Sequence, residues 1–187
     1  MSEIPIAQVF DSQLLSEQAY WVARCRRGDE SAMAALVAKH RLRLNRVAAN
    51  VLRDVHEAED VAQEAFVKAF REIKHLRDDR AFSSYIYKIC VRLCMDRLRS
   101  KRAEPGIVEQ AQKCEGPSIE TRVLVEKLLE KLSPDLRATL VLREMEQLSY
   151  EEVAEVLHVP VGTVRSRLHT AREKFRAIWH EDMKEEQ

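Results

Sequence analysis

Glycine and proline are scarce, at 4 and 5 in 187 residues. A chain this short of turn formers is neither a turn-rich β architecture nor a collagen-like repeat. Aromatic residues make up only 6%. Uncharged apolar runs reach a few residues, far below the roughly 18 that cross a bilayer, so no membrane insertion is expected. Met1–Ala23 has no basic start followed by an apolar stretch, so no secretion signal is expected and the protein is expected in the cytoplasm. The four cysteines, Cys25, Cys90, Cys94 and Cys114, show neither CxxC nor Cys/His ligand spacing. Cys90 and Cys94 lie one helical turn apart, where small apolar side chains pack, so core thiols are the simpler reading than a redox or zinc switch. No metal and no cofactor is expected. No nucleophile–base–orienter set and no Gly-rich phosphate loop is present, and no enzymatic activity is expected.

Charge is abundant but balanced, with 31 Lys and Arg against 31 Asp and Glu. The balance hides blocks. Arg24–Arg53 is basic, Asp54–Lys74 acidic, His75–Arg102 basic, Ala103–Gly162 acidic and Thr163–His180 basic. Solvated helix faces explain the amount of charge but not its segregation. Discrete basic surfaces separated by acidic ones explain both.

Almost every segment has a helical apolar period and helix-forming composition. Helices are predicted at Leu14–Arg27, Glu30–Leu52, Glu57–Ile73 and Phe82–Arg99. Further helices are predicted at Glu120–Lys131, Pro134–Met145, Tyr150–Leu157 and Gly162–His180. Between Ser100 and Ser118 the period fails, and Pro105, Gly106, Gly116 and Pro117 mark a flexible linker. The fold class is therefore all-α. Two small helical domains, 12–100 and 118–180, are joined by a linker at 101–117.

The second domain carries the sharper pattern. Ser149-Tyr150-Glu151-Glu152 has capping-box spacing, and Pro160 stops the short helix that it opens. Short helix, turn and longer helix make a helix-turn-helix. At about 100° per residue, Val164, Leu168, Ala171 and Phe175 share one side of the longer helix. Ser166, His169 and Glu173 lie opposite, flanked by Arg165, Arg172 and Arg176 on one edge and Thr170 on the other. Outward polar residues near a helix start suit base edges, and flanking arginines suit phosphates. An ordinary amphipathic helix accounts for the apolar stripe but not for a basic outer face, so DNA binding is preferred.

In the first domain, Val61, Ala62, Ala65, Phe66, Ala69, Phe70 and Ile73 form an apolar arc. Asp60, Gln63, Glu64, Val67 and Arg71 lie opposite. Asp60 and Glu64 lack a third ligand, so metal is not expected; a polar strip interrupted by Val67 suits protein docking, with a plain solvated face as the alternative. Along Phe82–Arg99, Ile86, Ile89, Cys90 and Leu93 point inward. Tyr85, Lys88, Arg92 and Arg99 share another face, where an aromatic ring followed by cations suits opened DNA. Tyr87 reads as a core-edge aromatic.

Read together, these stretches resemble a bacterial sigma factor of the extracytoplasmic-function group of the sigma-70 family, over about Ala23 to Trp179. The likeness rests on Glu57-Ala-Glu-Asp-Val-Ala-Gln-Glu-Ala-Phe66, on Phe82-Ser-Ser-Tyr-Ile-Tyr-Lys-Ile-Cys90 with Asp96-Arg-Leu-Arg99, and on Leu148-Ser-Tyr-Glu-Glu-Val153 with Val159-Pro-Val-Gly-Thr-Val-Arg-Ser-Arg167. The resemblance implies core RNA polymerase as partner, docked through Asp60, Gln63, Glu64 and Val67. It implies recognition and melting of a −10 promoter element by Arg77, Asp78, Asp79, Arg80, Ser83, Ser84, Tyr85, Lys88, Arg92 and Arg99. It implies reading of a −35 element by Arg165, Ser166, His169, Thr170 and Arg172, and an anti-sigma factor as inhibitory partner. The acidic linker residues Glu104, Glu109 and Glu115 would suit a path through the polymerase. The chain departs from the family at Tyr85, often Trp, at Arg92, often Asn, and at His169-Thr170, frequently an aromatic or Arg pair. The N-terminal stretch Met1–Ala23 matches no assigned part. The main alternative is a helix-turn-helix repressor or activator with a helical ligand or dimerisation domain, which would bind duplex DNA alone. The basic-aromatic face of the first domain speaks against it. A nucleic-acid enzyme lacks candidate catalytic residues.

Overall fold

The structure is a computed structural model that describes residues 17–103, 125 and 129–185. Among the described residues every regular element is a helix. The first, α1, covers residues 17–25. It stops at Gly28, whose φ of 82° lets the Gly28 and Asp29 amides turn back onto the Cys25 and Arg24 carbonyls. Asp29 then caps α2 (Glu30–Leu52), with Oδ1 accepting from the Ser31 and Ala32 amides at 2.9 and 3.2 Å. Oδ2 accepts from Arg24 Nε at 2.7 Å. The Ser31 hydroxyl, the Arg24 guanidinium and the Ala32 amide together hold the Asp29 carboxyl down to about 2.

Arg53 closes α2 in the left-handed region, and Asp54 caps α3 (Val55–Glu72) by accepting from the Glu57 amide at 2.9 Å. The chain then makes two single 3-10 turns, Ile73–His75 and Asp79–Ala81, before α4 (Phe82–Ala103). Helix α4 runs past Arg99 into the expected linker, because Ser100, Lys101 and Arg102 carry no breaker. The remaining linker residues and Cys114 lie outside the described residues.

Helices α2, α3 and α4 pack on one another. Ala58, Ala62, Ala65 and Ala69 are buried on α3, and so small a row lets neighbouring backbones approach closely. Leu36, Leu44, Val47 and Val51 from α2 and Phe82, Ile86 and Cys90 from α4 fill the space between. Phe70 bridges Phe66 and Phe82, with ring centroids 6.0 and 6.3 Å apart. Cys25, Cys90 and Cys94 are buried free thiols. Burial pushes Cys25 up to about 11, away from the reactive thiolate.

The second lobe comprises a helical stretch at 129–131, α5 (Pro134–Leu140), α6 (Tyr150–Leu157) and α7 (Val161–Glu185). Of the helix expected at Glu120–Lys131, Val125 is also described and is helical, and the rest falls outside the described residues. The helix expected over Pro134–Met145 changes winding part-way. Its last five residues, Val141–Met145, form a π turn closed by the Glu146 amide on the Val141 carbonyl at 3.1 Å. Gln147, at φ 58°, then reverses the chain.

The lobes meet where α4 packs on α6 and α2 on α5. The Glu146 side chain sits at this junction with 0% exposure. Its carboxylate accepts from Arg43 Nε at 3.1 Å, from Arg46 Nε and Nη2 at 3.2 and 2.9 Å, and from the Tyr87 hydroxyl at 3.2 Å. Tyr87 is thus an interlobe residue rather than an edge of one core, and burial beside Glu146 raises its pKa. Arg53 adds an ion pair to Glu130 at 2.6 Å.

Two outcomes follow from these contacts. Replacing Glu146 with Ala strands the buried Tyr87 hydroxyl and should lower the unfolding free energy by roughly 1–3 kcal/mol in urea titration. Adding Tyr87→Phe to that variant should then cost little more. His40 is buried against Phe82, its Nε2 has no hydrogen-bond partner among the described residues, and burial next to Lys39 and Arg43 lowers its pKa to about 4. The unfolded chain therefore takes up the proton first. Stability from this group is complete above pH ~6.5 and falls as pH drops towards 4. A His40→Gln variant should lose that slope when melting temperatures are compared across the window.

Candidate nucleic-acid interface

The helix-turn-helix is fixed by backbone groups that need partners. Ser149 Oγ accepts from the Glu152 amide at 3.1 Å, and Glu152 Oε2 accepts from the Ser149 amide at 2.7 Å. His158 ends α6 at φ 56°, and the Val159 amide returns to the Ala154 carbonyl at 3.0 Å. Pro160 cannot donate, but its carbonyl accepts from the Thr163 and Val164 amides at 2.9 and 3.2 Å and so starts α7.

On α7, Val164, Leu168 and Ala171 are buried, and Arg165, Ser166, His169, Thr170 and Arg172 are all exposed. For these residues the expected division of faces is the one observed; the side chain of Phe175 lies outside those described. Ser166 and Thr170 donate their hydroxyl protons to the Thr163 and Ser166 carbonyls at 3.0 and 3.1 Å, leaving oxygen lone pairs outward. Arg165 lies 6.0 Å from the Tyr150 ring centroid, and Arg143 lies 5.1 Å from the same ring. Arg172 is paired with Glu144 at 2.7 Å, a bond that raises its pKa. Arg167, at the same end of the helix, is instead a strut to Asp135 at 3.4 Å.

The first lobe presents two further surfaces. On α3, Asp60, Gln63, Glu64 and Val67 are exposed together, with Val67 at 52%. Glu64 is held by Arg97 at 3.0 Å. The second surface is the segment between α3 and α4 with the start of α4. Arg77, Asp78 and Arg80 are exposed, and Asp78 caps the 3-10 turn by accepting from the Arg80 amide at 3.0 Å. Asp78 also pairs with the Arg80 guanidinium at 3.1 Å, which lowers the Asp78 pKa. Asp79 does not join them: it turns inward onto Arg26 at 2.6 Å.

On α4, Arg92 and Arg99 are exposed, Lys88 is half-buried, and Arg99 pairs with Asp96 at 3.1 Å. Tyr85 is not a free stacking platform. It is half-buried and donates its hydroxyl to Glu72 at 3.3 Å, its pKa raised by burial. Ser83 donates to Gln18 Oε1 at 2.8 Å, and Ser84 to the Ala81 carbonyl at 3.1 Å. Gln18 and Arg26, which both touch this surface, were not among the expected site residues. The sequence does hold a signal: Gln18 stands four and seven residues before Val22 and Cys25, on the face of α1 that is buried.

No group of His, Cys, Asp and Glu among the described residues could hold a metal ion, and no described helix is long and apolar enough to cross a membrane. Fold and surfaces together define a two-lobed protein, all-α among the described residues, with a helix-turn-helix in its second lobe. The family model for sigma-70 region 2 matches residues 36–104, and the model for sigma-70 region 4 matches residues 122–175. The chain is 36% identical to the RNA polymerase sigma-H factor of Pseudomonas aeruginosa, over 81% of this chain and 88% of that protein. It is 35% identical to the ECF RNA polymerase sigma-E factor of Escherichia coli strain K12, over 87% of this chain and 93% of that one. Among solved structures, CnrH in complex with the cytosolic domain of CnrY superposes with a TM-score of 0.70 at 25% identity, covering 89% of this chain and 99% of that one. The chain belongs to the extracytoplasmic-function sigma factors of the sigma-70 family, DNA-binding proteins of transcription initiation.

Removing the cap tests how far local chemistry holds the helix-turn-helix. Ser149→Ala should destabilise the second lobe by about 1 kcal/mol, read as faster amide exchange across Tyr150–Leu157.

Proposed function

We propose that the chain binds core RNA polymerase and directs initiation at promoters carrying both a −35 and a −10 element. In this reading α3 docks on the polymerase through Asp60, Gln63, Glu64 and Val67, the exposed Val67 giving an apolar contact within a polar rim. Residues Arg77, Asp78, Arg80, Ser83, Ser84, Tyr85, Lys88, Arg92 and Arg99 form the −10 surface. Asp79 belongs to its support, through Arg26. Tyr85 would leave Glu72 to stack on an unpaired base, and the cations would hold the backbone of the opened strand. Helix α7 would read the −35 element with Ser166, His169 and Thr170 towards base edges and Arg165 and Arg172 towards phosphates.

The observation that carries this reading is the exposure, in one chain and in family order, of a docking strip on α3, a basic surface at α4 and a polar row on α7. Opening the duplex would need no covalent chemistry here. Capture of unstacked bases, at roughly 1–3 kcal/mol each, offsets the cost of unpairing. The linker, which begins beyond the end of α4 at Ala103, would let the two lobes reach separate elements. We also propose an anti-sigma partner, in keeping with the Bartonella quintana sigma factor RpoE, of the same fold and solved in complex with the anti-sigma factor NepR.

Transcription from a library randomised at both elements, using purified core polymerase, tests the reading. The protein should enrich promoter-specific initiation over core alone. His169→Ala should relax preference at one −35 position, equivalent to roughly 1–3 kcal/mol of discrimination. Arg165→Ala should weaken holoenzyme binding evenly across sequences and reduce the salt slope by about 1. Val67→Asp should reduce assembly with core polymerase in gel filtration. No enrichment over core alone would reject the reading.

A further inference from the structure

The segment between α3 and α4 carries few bonds of its own. Among the described residues, the Leu76 amide reaches the Ile73 carbonyl at 3.2 Å, the Ala81 amide reaches the Asp78 carbonyl at 3.0 Å, and Asp78 caps Arg80. Helix α1 and the turn that follows it supply further bonds. Gln18 is buried, at 3% exposure, and both ends of its amide are spent on this segment. Nε2 donates to the Arg80 carbonyl at 2.8 Å, and Oε1 accepts the Ser83 hydroxyl at 2.8 Å. At the other end Arg26 donates to the Ile73 carbonyl at 3.3 Å and to the Leu76 carbonyl, and pairs with Asp79 at 2.6 Å. One side chain of α1 and one from the turn just after it therefore grip the segment, and the exposed Arg77, Asp78 and Arg80 project from it.

We infer that Gln18 and Arg26 are positioning residues for −10 selectivity: they fix the shape in which residues 76–84 meet the promoter, without touching DNA themselves. The inference rests on the reading of that segment as part of the −10 surface. The physical ground is that a buried amide must keep its partners, so the segment cannot shift without stranding Gln18, and the half-buried Arg26 would lose its carbonyl and carboxylate partners in the same move. Recognition depends on such support, since a reading surface displaced by about an ångström loses its bonds. The donor and acceptor of Gln18 also do separable jobs. Gln18→Met removes both, whereas Gln18→Glu keeps the acceptor for Ser83 and loses the donor to Arg80.

The test uses full-length protein in two readouts. Hydrogen exchange of the free chain follows the amides of 76–84, and holoenzyme made with core polymerase is profiled on a promoter library. Gln18→Met should speed exchange across 76–84 about tenfold or more while α7 is unchanged. It should also shift preference at one or more −10 positions at least threefold, with the −35 profile preserved. Gln18→Glu, which turns a carboxylate oxygen onto the Arg80 carbonyl, should speed exchange at least as much. Should Gln18→Met fail to fold, Arg26→Gln is read in the same way. Unchanged exchange in 76–84 would overturn the inference, and so would faster exchange with an unmoved −10 profile. In that second case Arg80→Ala separates the two ideas: if it moves the −10 profile the surface stands and only the positioning role falls, and if it does not, the −10 reading falls as well.

Discussion

A polar group taken out of water has to find a partner, and in this protein that demand decides where the reading surfaces lie. Leaving one such group unpaired costs about 1–3 kcal/mol, a large part of the net stability of a small domain. Glu146 meets the demand with Arg43, Arg46 and Tyr87, and so joins the lobes. Gln18 and Arg26 meet it with the segment between α3 and α4. Ser149, Asp29 and Asp54 meet it at helix starts. Each bond fixes a backbone direction, and the exposed side chains follow from that direction.

The cations of the proposed DNA surfaces are bound differently. Arg80, Arg99 and Arg172 each pair with an acid that is itself well exposed, Asp78, Asp96 and Glu144. Exposed pairs of this kind contribute roughly 0–1 kcal/mol. Exchanging such a carboxylate for a phosphate therefore costs the fold little, while the free protein keeps its basic faces partly neutralised. That is the physical sense of alternating charge blocks in a chain with no net charge. Arg26 and Arg167, by contrast, are drawn into supporting contacts, and a count of basic residues alone would have grouped them with the others.

Much of this was legible before any coordinates. The limits of α6 follow from the sequence because its ends carry their own chemistry, the Ser149–Glu152 box and Pro160, and α2 matches the range its apolar period predicts. The exposed row on α7 and the strip on α3 follow from a 3.6-residue period over long segments. The π turn at Val141–Met145 was not legible, because apolar spacing continues through it and only the shift of the Glu146 amide marks the change. The role of Glu146 was hidden as well. Its partners lie 59 to 103 positions away, and local periodicity carries no information at that range. Spacing places Tyr85, and the resemblance places Asp79, towards DNA, whereas Glu72 and Arg26 draw them towards the protein.

The central proposal is that the α4 and α7 surfaces choose promoters together while the chain is seated on the polymerase. Mapping transcription start sites in cells producing the protein addresses it most directly, since each new start reports both elements at once. Joint recognition predicts a set of new starts that share one −35 and one −10 sequence at fixed spacing. New starts sharing neither element, or no new starts with the protein bound to polymerase, would contradict it.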